Sequence, residues 1–323
     1  MNEDTSIDPA LHPKPDEMTY NLTEALTAMV SIRCEVPENA FTAPSLGTER
    51  SGHGVLIRDS GVVLTIGYLT IEAQKIWLID ATGQAVAGHV LAYDQETGFG
   101  LVQALGKLNA RALPIGSSTK LQVGDDVTVA GHGGIENAIS ARVAAKQEFA
   151  GYWEYLLNEA IFTTPAHPIW GGAALISEHG ELVGIGSLFI QHSQEDQMPF
   201  DGNMIVPIDI LKPVLDDLLT YGRVDKPPRP WLGIMIADSD DQLYVAGIIP
   251  EGPSAKSGLE SDDMLSAING RPIEDLPTFF RQLWALGDAG ITITLSVMRN
   301  DQIFDVQIKT ADRNDFLLRP DLH

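Results

Sequence analysis

Between Ser51 and about Ile190 the chain is a succession of short apolar runs broken by glycine and polar turns. The runs are Gly54–Ile57, Val62–Thr65, Ile76–Ile79, Ala85–Tyr93, Phe99–Gln103 and Val127–Ala130. Strands this short, with a turn signal about every ten residues, predict an all-β barrel or sandwich. Upstream, Asn21 to Met29 reads as a short helix capped by Asn21, and Val30 to Val36 as a strand. Downstream, Pro207 to Tyr221 has apolar residues at helical spacing, and Gly222 ends it. The stretch Lys226–Pro230 (KPPRP) is a stiff linker. Beyond it, residues 231–310 predict strand, strand, short helix, strand, a longer helix from Leu276 to Leu286, and two more strands.

The expected organisation is an acidic arm over residues 1–20, a mostly β domain over 21–224, a linker over 225–230, a second domain over 231–312 and a tail over 313–323. The arm, with three prolines and five carboxylates in its first 18 residues, is expected to be extended and loosely ordered.

Composition narrows the partners more than the fold. With 44 acidic residues against 21 basic ones, the formal charge of −23 argues against nucleic acid and against anionic membrane surfaces. The single cysteine, Cys34, excludes an intrachain disulfide and lies in an apolar run, where a buried thiol is expected. No window supplies the roughly 18 apolar residues of a membrane span. The start, MNEDTS, has no basic or apolar leader region, so the expected location is cytoplasmic, or periplasmic if a leader was removed. His53, His132 and His167 lie in loop-like sequence without the close pairing of a zinc site, so no metal and no cofactor are expected.

Four segments together carry a resemblance. They are Leu113–Asp126 (LPIGSSTKLQVGDD), Val206–Val224 (VPIDILKPVLDDLLTYGRV), Pro230–Ile234 (PWLGI), and Ile249–Asp263 (IPEGPSAKSGLESDD) followed by Ile268–Gly270 (ING). Over roughly residues 22 to 312 the chain resembles the HtrA family, a trypsin-like domain followed by a PDZ domain. That resemblance implies a chymotrypsin-like double six-stranded β-barrel and a C-terminal PDZ domain, and often an oligomer formed through the N-terminal segment. Residues 1–20 hold only Tyr20 as an aromatic for such a contact, so a homo-oligomer and a subunit of a hetero-complex both stay open.

The resemblance also sets out three catalytic positions. The family's histidine lies in an LTNNHV-type segment; here Leu64–Leu69 (LTIGYL) puts Tyr68 there. The family's aspartate falls on Gly98, within Tyr93–Leu101 (YDQETGFGL). Its serine falls on Trp170, ahead of Gly171 and Gly172. Pro168 stands where a glycine would lend an N–H to an oxyanion hole. Tyrosine titrates near 10 and is a poor base at neutral pH, glycine has no side chain, and indole has no nucleophilic oxygen. On this reading the triad is degenerate, the chain is not an enzyme, and it serves as a scaffold or adaptor. The alternatives are an active serine endopeptidase of the family and a non-catalytic subunit of a larger complex.

A PDZ domain adds an extended peptide to a sheet edge and holds its terminal carboxylate with backbone N–H groups. By resemblance the carboxylate loop is Trp231, Leu232, Gly233 and Ile234, with Ile234 and Ile236 lining the groove beside Phe280 and Leu283. The implied partner is a protein or peptide C-terminus. Self-blocking by the tail Asp315–His323 is an alternative.

Overall fold

The computed structural model describes residues 6–192, 200–239 and 242–318, and it is mostly β. The helix α1 (Leu22–Leu26) starts where the Asn21 side chain accepts the Glu24 amide. Six strands close the first barrel: β1 (Met29–Glu35), β2 (Glu49–Arg58), β3 (Val62–Ile66), β4 (Lys75–Ile79), β5 (Ala85–Tyr93) and β6 (Phe99–Ala104), in the order β1-β2-β3-β6-β5-β4. A short helix, α2 (Ala43–Leu46), lies in the connection between β1 and β2. Six more strands close the second barrel in the order β10-β11-β12-β9-β8-β7. These are β7 (Asp126–Ala130), β8 (Ala138–Gly151), β9 (Tyr155–Thr164), β10 (Ala174–Ile176), β11 (Leu182–His192) and β12 (Phe200–Pro207). Closure leaves no free sheet edge, which suits strands with apolar residues facing inward. The double barrel expected from the sequence is present.

The helical reading of Pro207–Tyr221 is only partly right. The chain makes a 3-10 turn at Ile208–Ile210, and α3 begins at Leu215 and runs to Tyr221. Pro213 has no N–H and its ring crowds the preceding turn, so one continuous helix is not available. Gly222 takes the left-handed conformation at φ 71° and returns its amide to the Leu218 carbonyl. Two segments far apart in sequence meet here. Asp209 accepts the Ser117 hydroxyl and the Thr119 amide, both at 2.8 Å.

The last six strands form an open sheet in the order β13-β14-β15-β17-β18, with β16 paired to β15. They are β13 (Ile234–Ser239), β14 (Gln242–Ile248), β15 (Met264–Ile268), β16 (Arg271–Pro272), β17 (Thr292–Arg299) and β18 (Gln302–Lys309). The helix α4 (Leu276–Trp284) is capped by Asp275, which accepts the Thr278 amide, and buries Phe279, Phe280 and Leu283. Asp263, fully buried, is neutralised by the Arg299 guanidinium at 2.5 Å.

The chain divides into two compact units: residues 1–147, 159–224 and 318–323, and residues 148–158 with 225–317. The tip of the β8–β9 hairpin therefore belongs with the second unit, which the sequence pattern did not indicate. Nor is the N-terminal arm loose over its described length. Ile7 is buried in the second barrel's core, and Tyr20 packs its ring against Gly180.

Phe99 is fully buried in the first barrel. Phe99→Ala is expected to lower the unfolding free energy by about 3–5 kcal/mol, read from urea denaturation. A loss below about 1 kcal/mol would show that the barrel does not depend on this ring.

Candidate functional site

The positions of Tyr68, Gly98 and Trp170 converge in the first unit. The Gly67 amide donates to the Gly98 carbonyl at 2.7 Å, placing residue 98 beside the turn that carries Tyr68. The Tyr68 hydroxyl donates to the Ser187 carbonyl at 2.9 Å. Burial pushes the Tyr68 phenol above its ordinary range, against a hydrogen bond from Trp170. An indole can only donate, so both sides of this hydroxyl are engaged. The Trp170 ring packs against Phe189 at 5.5 Å. Gly98 sits at φ 79°, and its amide donates to the Asp94 carbonyl.

The turn after Trp170 is closed by its own backbone. The Ala173 amide donates to the Trp170 carbonyl at 3.0 Å and the Gly172 amide to the Gly186 carbonyl at 2.9 Å. Gly172 has φ 78°, and a Cβ there would lie 1.8 Å from the His53 carbonyl. Only glycine satisfies both conditions.

The three histidines, read from sequence as scattered, gather beside this turn. The His53 and His167 rings meet edge to face at 6.0 Å. The His132 amide donates to His53 Nδ1 at 3.1 Å, so the His53 proton is on Nε2, which is buried without a partner. His167 Nδ1 accepts the Ile169 amide, which leaves Nε2 to donate to the Asn137 carbonyl at 3.1 Å. Burial, then the neighbouring His167 and His132, pull the His53 pKa down to about 3. Among the described residues no group of three or more His, Cys, Asp or Glu side chains is placed to hold a metal. Ser177 follows β10 and its hydroxyl accepts the His179 and Glu181 amides, a turn role.

In the second unit the residues taken from sequence for peptide binding come together. Leu232, Ile234, Ile236, Phe280 and Leu283 share one apolar cluster, and Trp231 is buried beside Phe316 at 5.1 Å. Gly233, at φ 70°, turns the loop so that neighbouring amides point the same way. The Leu232, Gly233 and Ile234 amides converge on one carboxylate, that of Glu154, at 3.2, 2.9 and 3.5 Å. Sequence reasoning missed Glu154. Its local signal is the aromatic cluster around it, Tyr152, Trp153 and Tyr155.

A trypsin-like peptidase domain family matches residues 52–185, and a PDZ domain family matches residues 230–310. A probable periplasmic serine endoprotease, DegP-like, of Pseudomonas putida (strain W619) is 28% identical over 286 residues. The match covers 82% of this chain and 57% of that protein. The periplasmic serine endoprotease DegP of Escherichia coli (strain K12) is 23% identical over 281 residues, with 80% and 56% covered.

The chain is similar to HtrA/DegP proteins in carrying a trypsin-like peptidase domain followed by a PDZ domain.

It spans about 57% and 56% of the length of these two relatives. In fold it is similar to the solved HtrA-type protease AlgW with tripeptide, with a TM-score of 0.53 and 20% identity over 90% of this chain and 95% of that one. It is likewise similar to a serine endoprotease from Yersinia pestis, with a TM-score of 0.51 and 22% identity over 92% and 99%. These similarities correct two expectations. The exclusion of an enzyme is overturned, because the relatives this chain is similar to are named serine endoproteases. Altered residues at three positions bear on one arrangement of nucleophile and base, not on the class of a whole protein. A cytoplasmic location is not supported, since the relatives are named periplasmic.

Trp170→Ser alone is expected to give no fluorophosphonate label at position 170, since Tyr68 beside it cannot accept a proton at neutral pH. Mass spectrometry of the labelled variant reads this, and a modified position 170 would show an activating base within reach. For His53 the folded pKa lies below the ordinary value. As pH falls from about 6.5 to about 3, the unfolded chain takes up a proton that the folded chain refuses, so stability is complete above this window and drains away within it. His53→Asn keeps an acceptor for the His132 amide. It is expected to shrink the loss of unfolding free energy between about pH 7 and about pH 4.5 by on the order of 2 kcal/mol, measured by urea denaturation.

Proposed function

We propose that this HtrA-family chain acts on polypeptides and recognises them by a carboxyl terminus at the loop Trp231–Ile234 of its PDZ domain. The observation that carries the reading is the convergence of three backbone N–H groups on one carboxylate. Backbone amides aimed together at a buried anion form a carboxylate site, and the apolar Ile236, Phe280 and Leu283 beside it suit an apolar last side chain. The names of the relatives support a role in the periplasm and supply endoproteolysis as the reaction of the class. In this chain the Tyr68–Trp170 contact and the closed turn at Gly172 stand where that reaction would be organised. A scaffold reading is favoured by one specific observation: both sides of the Tyr68 hydroxyl are spent on structural hydrogen bonds.

A pool of fluorescein-labelled octapeptides ending in Leu, Ile, Val or Phe tests the site. Binding of the free-carboxylate pool with loss of binding on C-terminal amidation is expected. Gly233→Ala should weaken it at least about tenfold, because φ 70° disfavours a Cβ and one would sit 3.1 Å from the Pro253 ring. Equal binding of free and amidated pools would sink the reading. Casein cleavage with a fluorophosphonate-sensitive rate would place the reaction in the chain as well.

A further inference from the structure

We infer that the PDZ groove is held by a segment of the chain itself, the hairpin tip 148–158, with Glu154 standing in for a terminal carboxylate that an incoming peptide must displace. The inference rests on the carboxylate-site reading above and adds the regulation of that site.

The hairpin fills the groove along its length. Glu154 is nearly fully buried, and its carboxylate takes the Leu232, Gly233 and Ile234 amides. Two residues earlier, the Tyr152 carbonyl accepts the Ile236 amide of β13 at 3.1 Å, the start of a strand-like pairing beside the sheet edge. On the other wall, Arg281 of α4 pairs with Glu148 and donates to Asn158 at 3.2 Å, so the helix holds both arms of the hairpin. Ala150 and Leu156 pack on the same apolar cluster as Ile234, Ile236, Phe280 and Leu283. A carboxylate at the loop, a backbone pairing to β13 and apolar contact toward α4 are the three parts by which a sheet-edge groove takes a peptide end.

Two features make the occupant displaceable. Glu154 adopts φ 60°, a conformation that a residue with a Cβ takes at a cost. Burial pushes its carboxyl up to about 7, with the three amides and Arg313 pulling against it, so the charged form is held at a penalty. A peptide terminus making the same hydrogen bonds without that backbone strain competes on favourable terms. The apparent affinity of the parent chain for such peptides is reduced by the fraction of time the groove is closed.

Glu154→Gly and Glu154→Asn both remove the carboxylate, and both residue types suit φ 60°, so the fold is kept. In the full chain, amide exchange of Leu232, Gly233 and Ile236 is expected to be slow in the parent and at least about tenfold faster in both variants. Unchanged exchange in the variants would overturn the internal ligand. The free-carboxylate octapeptide pool should bind both variants at least about tenfold more tightly than the parent, and the amidated pool should show no gain. Equal affinity for parent and variants would overturn the displacement. If exchange accelerates yet no pool binds any form, the loop is not a peptide site, and the preceding reading fails while Glu154 remains the groove's own occupant.

Discussion

The two barrels meet where no side chain fits. A Cβ on Gly172 would collide with the His53 carbonyl, one on Gly171 would press the Tyr68 hydroxyl at 2.8 Å, and one on Gly52 would strike the Gly171 carbonyl at 2.6 Å. Three glycines let the backbone of β2 approach the turn after Trp170 closely enough for the His53 amide to reach the Gly171 carbonyl at 2.8 Å. Close packing of this kind leaves little freedom to the groups around it. The histidine trio, the Tyr68–Ser187 bond and the turn at Trp170 all take their places from that approach. It also explains why the His53 ring is so poorly solvated: it lies over Gly131, where even a methyl group would meet it at 2.5 Å.

A different balance governs the second unit. A carboxylate in a dry groove is costly, and a loop of converging amides is equally costly if left unpaired. Glu154 and the loop Trp231–Ile234 resolve each other's cost without fully cancelling it, since the carboxyl remains shifted upward. The backbone strain at Glu154 is of the same character, an expense tolerated because the surrounding contacts of Tyr152, Glu148 and Asn158 over-determine the hairpin.

Much of the fold was legible in the chain. Alternating apolar runs with turn residues between them mark barrel strands because a strand has period two and must bury one face. Asn21 and Gly222 announce the ends of α1 and α3 by local chemistry alone. Pro213 is an equally local signal, and it breaks a helix that the apolar spacing around it would otherwise continue. The PDZ loop was found through Gly233, whose positive φ is a property that a single residue type advertises. The likeness to serine endoproteases was legible through the resembling segments, whereas Tyr68, Gly98 and Trp170 pointed away from it.

Glu154 was not legible. A glutamate in a hairpin tip is ordinarily a solvated charge, and the aromatic residues around it do not say which amides its carboxylate meets. The sequence by itself determined which segments are strands and helices, where their caps lie and which loop can present its amides together, because these follow from short-range sterics and periodicity. Only the tertiary structure decided that three histidines share one corner and that the amides at Leu232 and Gly233 are met by a carboxylate 78 and 79 positions away in the chain. Such pairings depend on which desolvated groups the closed barrels and the sheet bring within hydrogen-bond reach, a condition the order of residues does not state.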